Sequence, residues 1–144
     1  MTSPEALTAE RLRDLFASGP FDDATLERLV PHYTDDVVFI DPIQTVRGRD
    51  AFVAMNRRLM ARARELRFDV RDMAHEGDQI FLTWVMTMTP KPFGPTLRIE
   101  GVTHCTLRDG KVAVHRDYWD LLGSVMETVP LAGTVYKAAV ALLG

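Results

Sequence analysis

Two aspartates are candidates for acid–base chemistry, each at the end of a strand-like segment. Asp41 lies in FIDPIQ (39–44), directly before Pro42, and Asp117 lies in HRDYWD (115–120) among aromatic residues. A carboxyl group enclosed by apolar side chains loses solvation, which raises its pKa and makes it a useful proton donor or acceptor near neutral pH. Each also has a structural interpretation: Asp41 as a turn residue that caps a strand end, and Asp117 as a buried hydrogen-bond anchor.

The segment around Asp117 has the alternation of a β-strand. Side chains of a strand point to opposite faces in turn, so one face is predicted to carry Ala113, His115, Asp117 and Trp119, and the other Val112, Val114, Arg116 and Tyr118. His115 then either orients Asp117, relays a proton, or fills the wall of a pocket. Further candidates for an apolar, ligand-binding wall are Phe39, Trp84, Met86 and Trp119, with Thr103 as a polar member.

Composition and motifs argue against several classes of function. The net charge of −3 gives no electrostatic footprint for nucleic acid or anionic lipid, and no apolar stretch reaches the length of a membrane span. Four scattered histidines show no metal-ligand spacing, and there is no glycine-rich phosphate loop or dinucleotide fingerprint. The single cysteine, Cys105, excludes an internal disulfide. We therefore expect a cytoplasmic protein that uses no metal or other cofactor.

Three helices are predicted in the first half of the chain. Ser3-Pro4 is typical of a helix start and Gly19-Pro20 of its end, whereas Asp22-Asp23 begins a second helix whose apolar stripe includes Tyr33. A third helix is predicted from Arg49 to about Arg64. The arginines of NRRLMARARELR (56–67) are interpreted as its solvated face.

In the second half of the chain, apolar and polar residues alternate with the two-residue period of β-strands. A short strand is predicted at 37–40, one hairpin turns at Gly77-Asp78, KPFGP (91–95) forms a turn, and a last hairpin turns at Asp109-Gly110. Helices followed by antiparallel strands indicate an α+β fold in a single domain, residues 1–144. A strongly curved sheet around the third helix would enclose a cavity. The apolar tail, 129–144, is predicted to be a packing or dimer element, with a membrane-surface helix as the alternative.

This order of elements, with Asp41-Pro42 after the first strand and DGKV…RDYWD in the last hairpin, resembles the SnoaL-like and limonene-epoxide-hydrolase-like branch of the NTF2-like superfamily. The resemblance implies N-terminal helices packed in a strongly curved mixed or antiparallel sheet that forms a cone-shaped half-barrel. It also implies a homodimer. The segment YTDDVVFIDP (33–42) is similar to ketosteroid isomerases as well, where the aspartate before the proline is the general base, as Asp41 would be here.

The resemblance gives only part of each family's machinery. The oxyanion aspartate of the isomerases falls on Thr103, and the first helix has no tyrosine. Of the epoxide hydrolase group, one aspartate falls on Asp117, whereas the remaining positions fall on Trp84 (arginine), Met86 (second aspartate), Phe39 (tyrosine) and Asp41 (asparagine). In SnoaL-type polyketide cyclases, an aspartate acid/base works in a largely apolar cavity, and Asp117 matches its place.

The sequence therefore predicts a protein that holds a small hydrophobic, oxygenated molecule. With Asp117 and Asp41 as acid/base residues it would be a cofactor-independent isomerase, cyclase or hydrolase. The alternative is a non-catalytic ligand-binding or dimeric interaction module of the same fold.

Overall fold

A computed structural model describes residues 5–126 and 131–143. Its helices are α1 (Ala9–Ala17), α2 (Asp23–Leu29), α3 (Arg49–Arg62), α4 (Leu121–Met126) and α5 (Ala132–Val140), with short 3-10 helices at Val30–His32 and Ala141–Leu143. Its strands are β1 (Tyr33–Ile40), β2 (Thr45–Arg47), β3 (Ala63–Glu76), β4 (Gln79–Pro90), β5 (Leu97–Arg108) and β6 (Lys111–Trp119). No helix in these two ranges is long and apolar enough to cross a membrane.

The strands form one mixed, six-stranded sheet in the order β2-β1-β6-β5-β4-β3. β3 to β6 form an antiparallel meander, and β1 pairs in parallel with β6. The last hairpin turns at Asp109-Gly110, where both residues have positive φ (53° and 78°), the geometry that favours this dipeptide in a two-residue turn. The curved sheet and the helices packed on it confirm the predicted α+β, cone-shaped half-barrel.

Helix α3 packs against β1, β2 and β3 of the sheet. At its N-terminal end, the amide of Gly48 donates to Val37 of β1, and the side chain of Arg49 donates to the carbonyl of Tyr33. At the other end α3 leads directly into β3. Phe52 and Asn56 are the buried residues of α3, and the Asn56 amide donates to the carbonyl of Phe52. Phe52 and Asn56 also line the cavity between this helix and the sheet.

Two predicted helix boundaries are wrong. Helix α1 begins at Ala9 because the side chain of Thr8 caps it, accepting from the amide of Arg11 at 3.1 Å. Before the cap, the amide of Leu7 donates to Gly110 of the last hairpin, which holds that segment out of the helix; Ser3-Pro4 lies outside the described residues. Tyr33 belongs to β1, not to the stripe of α2, because a 3-10 turn with Pro31 ends the helix.

The register of the sheet shifts at several places, in the β1–β6, β3–β4 and β5–β6 pairs, and the shift in the last hairpin affects the predicted faces of β6. β5 and β6 change register between Thr106–Val114 and Leu107–Val112, so Ala113 is an extra residue in β6. Val112 is consequently buried in the core, contrary to the prediction that it faces away from His115. Beyond the irregularity the predicted face is confirmed, since His115 is buried and Asp117 and Trp119 line the cavity. The sequence reasoning also missed β2, a three-residue strand.

Candidate active site

The open end of the half-barrel holds a cavity of about 520 Å³. A volume of this size suits a small organic molecule, and apolar side chains form most of the wall. The wall comes from α3 and from the concave face of the sheet, and includes Phe39, Phe68, Val70, Leu82, Trp84, Met86, Ile99, Thr103, His115, Asp117 and Trp119. The exposed lining residues mark the mouth: Ile43, Arg58, Arg62 and Leu121.

Asp117 accepts two hydrogen bonds on a single carboxylate oxygen. Its Oδ1 accepts from the Thr103 hydroxyl at 2.6 Å and from His115 Nε2 at 2.9 Å. The Asp117 side chain is only 17% exposed. Within the described part of the chain no residue donates to Oδ2, so this oxygen is the one available for a ligand.

His115 connects the aspartate to a buried phenol. The Tyr33 hydroxyl lies 2.8 Å from His115 Nδ1, and burial raises the pKa of Tyr33, so the phenol stays protonated. Burial lowers the pKa of His115, but its interactions with Tyr33 and with the Asp117 carboxylate outweigh burial and raise that pKa well above its ordinary value. The raised pKa favours the protonated imidazole, which donates from Nε2 to the Asp117 carboxylate.

Trp84 orients the Thr103 hydroxyl, the second donor to Asp117. Its indole Nε1–H donates to the Thr103 hydroxyl at 2.8 Å, so the hydroxyl proton is directed to Asp117. The ring lies against Gly101 on the neighbouring strand, and any Cβ at this position would overlap the six-membered ring. Gly101 is thus a requirement of close packing, because a side chain there would push Trp84 out of reach of Thr103.

Asp41 has a different role in the structure. It follows β1, and its Oδ1 accepts from the amides of Ile43 at 2.8 Å and Gln44 at 2.9 Å, while its own amide donates to the carbonyl of Gln44. These bonds are those of an aspartate that caps a turn. Asp41 also lines the cavity near Asp117, because β1 and β6 are parallel neighbours paired at Ile40–Arg116. The two carboxylates share a cavity, but the bonds of Asp41 serve its own turn.

The family follows from comparison with known proteins. The SnoaL-like domain matches residues 9–115, most of the chain and nearly all the elements that build the cavity. This chain belongs to the SnoaL-like domain family. The family lies in the NTF2-like superfamily, so the resemblance read from the sequence is confirmed. No curated protein matches the chain at a significant level.

Solved structures with the same fold come from several kinds of protein. A proposed SnoaL-like polyketide cyclase from Jannaschia sp. CCS1 is 26% identical, with 91% of this chain and 97% of that chain covered and a TM-score of 0.73. An LEH-like epoxide hydrolase from M. tuberculosis is 18% identical, with 94% and 98% covered and a TM-score of 0.70. A hypothetical protein with a ketosteroid isomerase-like fold from Catenulispora acidiphila, in complex with trimethylamine, is 19% identical, with 88% and 93% covered and a TM-score of 0.67.

Thr103 and His115 are the two residues whose side chains hydrogen-bond to Asp117 in the described part of the chain. Trp84 reaches the carboxylate only indirectly, through Thr103. The Thr103 hydroxyl donates to Asp117 and accepts from Trp84. Thr103 is therefore a positioning residue for the carboxylate and not a donor to a ligand oxygen.

Sequence reasoning found the residues around Asp117 but not the whole network. All eight candidates, Asp117, Asp41, Phe39, Trp84, Met86, Thr103, His115 and Trp119, line the cavity. It missed Tyr33, which reaches His115 from β1 only because β1 pairs with β6. It also treated Arg58 and Arg62 as part of a solvated face; they are exposed, and they line the mouth.

Proposed function

We propose that this protein is a cofactor-independent acid–base enzyme that acts on a small apolar molecule carrying a carbonyl group. The observation that supports this is one hydrogen-bonded chain, from Trp84 through Thr103, Asp117 and His115 to Tyr33, that holds the carboxyl group of Asp117 at the wall of an apolar cavity. A positioned carboxylate of this kind contributes about 10²–10⁴ in rate.

The proposed step is proton transfer at a carbon next to the carbonyl. Asp117 Oδ2 takes the proton, the C–H bond breaks, and its electron pair moves into the carbonyl to give an enolate. In a substrate with a carbon–carbon double bond next to the deprotonated carbon, Asp117 returns the proton to the far carbon of the dienolate, which gives isomerisation. In a substrate with a second carbonyl, the enolate attacks that carbonyl, and the alkoxide formed takes the proton back from Asp117, which gives ring closure. His115 stays charged throughout and holds Oδ1, so Asp117 alternates between carboxylate and carboxylic acid.

The test measures proton exchange without knowledge of the natural substrate. 2-Tetralone is small and apolar, and the protons between its ring and its carbonyl exchange with D2O by the proposed step. We expect the wild type to accelerate this exchange, followed by proton NMR, and Asp117→Asn to lose about 10²-fold or more of the acceleration. Asp69→Asn, which removes a carboxylate on the outer face of the sheet, is the control and should exchange like the wild type.

A non-catalytic ligand-binding module is the second candidate. The hydrogen bonds of Asp41 favour this candidate. Its Oδ1 accepts from turn amides, so Asp41 is not a second acid–base group comparable to Asp117. Tryptophan emission separates the two functions, because Trp84 and Trp119, the two tryptophans of the chain, both line the cavity. If 2-tetralone changes this emission but the wild type gives no acceleration over buffer, the protein is a binding module and the enzymatic proposal is wrong.

A further inference from the structure

The mouth of the cavity carries two arginines from one side of α3. Arg58 and Arg62 are one helical turn apart, next to Met55 and Leu59, which line the same wall. Side chains four positions apart on a helix are neighbours, so one anionic group can contact both guanidinium groups. The apolar wall below them continues to Asp117.

Neither guanidinium has a partner among the residues that the structure describes. Among residues 5–126 and 131–143, no hydrogen bond or ion pair involves the side chain of Arg58 or Arg62. Arginines on the other sides of the same helix do have carboxylate partners, since Arg57 pairs with Asp23 at 3.5 Å and Arg49 pairs with Asp35. The arginines of α3 that face the cavity are thus the ones left without an anion.

The helix dipole does not account for both positions. Arg62 is in the last turn of α3, where a cation interacts favourably with the partial negative charge of the helix end. Arg58 is one turn earlier, and this interaction falls off within the last turn. A role in stabilising the helix end therefore explains Arg62 at most, and gives no reason for two arginines beside the cavity.

The charges along the wall favour an anion at the mouth. Deep in the cavity, Asp117 is paired with His115 at 2.9 Å and the pKa of His115 is raised, so the pair contributes less negative charge than a lone carboxylate would. At the mouth, Arg58 and Arg62 outnumber the one remaining carboxylate of the lining, Asp41. An arginine matches the two oxygens of a carboxylate with two parallel N–H donors.

We propose that the ligand of this cavity is an apolar molecule with a carboxylate at one end, held by Arg58 and Arg62 at the mouth while its apolar body extends towards Asp117. The proposal rests on the proposed function, because it assigns a substrate class to the same cavity. It also fixes the orientation of the ligand: the reacting carbon lies at the end remote from the carboxylate.

The test compares two probes with the same apolar skeleton. 4-Phenylbutyrate carries a carboxylate, whereas 4-phenylbutan-1-ol carries a hydroxyl group in its place, and tryptophan emission follows the binding of each. We expect the carboxylate to bind about 10-fold more tightly than the alcohol, with a preference that shrinks when salt is raised, because charges at an exposed mouth are screened.

The decisive variant is Arg58→Met combined with Arg62→Met, which keeps two long side chains and removes both charges. It should weaken 4-phenylbutyrate about 10-fold and change the binding of the alcohol less than about 2-fold. The matched control, Arg57→Met with Arg64→Met, changes the net charge equally at residues outside the cavity lining and should leave both affinities unchanged.

The outcomes separate this proposal from the proposed function. If the two probes bind equally to the wild type, or the control variant weakens 4-phenylbutyrate as much as the decisive one, the carboxylate assignment is wrong. The 2-tetralone exchange would stand in either case, because that ketone carries no charge. Loss of exchange with the carboxylate preference intact would refute the enzyme and leave a carboxylate-binding module.

Discussion

Replacing Asp117 by asparagine tests the assigned charges directly, because the two side chains have nearly the same shape. The asparagine oxygen can still accept the hydrogen bonds that Thr103 and His115 donate to Oδ1, but this acceptor carries no negative charge. Hydrogen bonds to charged groups contribute about 1.5–3 kcal/mol, and neutral ones about 0.5–1.5 kcal/mol. With about 1 kcal/mol lost per bond, the free energy of unfolding should fall by about 2 kcal/mol at about pH 6.

The loss should depend on pH in a defined direction. In the wild type the pKa of His115 is raised, so its stabilising contribution is fully present below the unfolded value of about 6.5 and is lost as pH rises through the folded value. In Asp117→Asn the carboxylate no longer raises the pKa of His115 whereas burial still lowers it, so the variant gains less stability than the wild type as pH falls. Both effects make the difference larger in acid, and it should shrink to about 1 kcal/mol at about pH 9.

Urea unfolding of both proteins at the two pH values measures this difference. Asp69→Asn, in an exposed pair with Arg71, is the control and should show little change at either pH. A loss that is the same at both pH values, or larger in alkali, would refute the imidazolium–carboxylate pair. Asp117 would then be paired with a neutral histidine.

Two further substitutions test the rest of the network. Tyr33→Phe removes the hydroxyl 2.8 Å from His115 Nδ1 and leaves that buried nitrogen without a partner. Urea unfolding should therefore show that the free energy of unfolding falls by about 1–3 kcal/mol. A decrease below about 0.5 kcal/mol would contradict the contact. Gly101→Ala places a methyl group against the Trp84 ring, so it should destabilise the fold by about 1–3 kcal/mol. The tryptophan emission should also shift to longer wavelength, because the ring moves towards solvent. An unchanged spectrum would show that Trp84 need not move.

Local patterns in the sequence determined most of the architecture. Gly19-Pro20 ends α1, Asp22 caps α2, Asp109-Gly110 turns the last hairpin, and the face of β5 that carries Thr103 and Cys105 is buried as alternation requires. Each feature depends on residues only a few positions apart, so sequence alone contains the cause. The boundaries that failed depend on distant contacts, such as the bond from Leu7 to Gly110 that delays the start of α1.

The tertiary structure alone decided which side chains form the site. Tyr33 and His115 are 82 positions apart, and they meet because β1 pairs in parallel with β6, which no local pattern specifies. The same packing separated the roles of the two aspartates. Asp41 has turn amides within three residues, so local chemistry satisfies it, whereas Asp117 takes its donors across the sheet and from a buried histidine. Sequence determined that both carboxylates exist near strand ends; the fold decided that only Asp117 is held by buried groups.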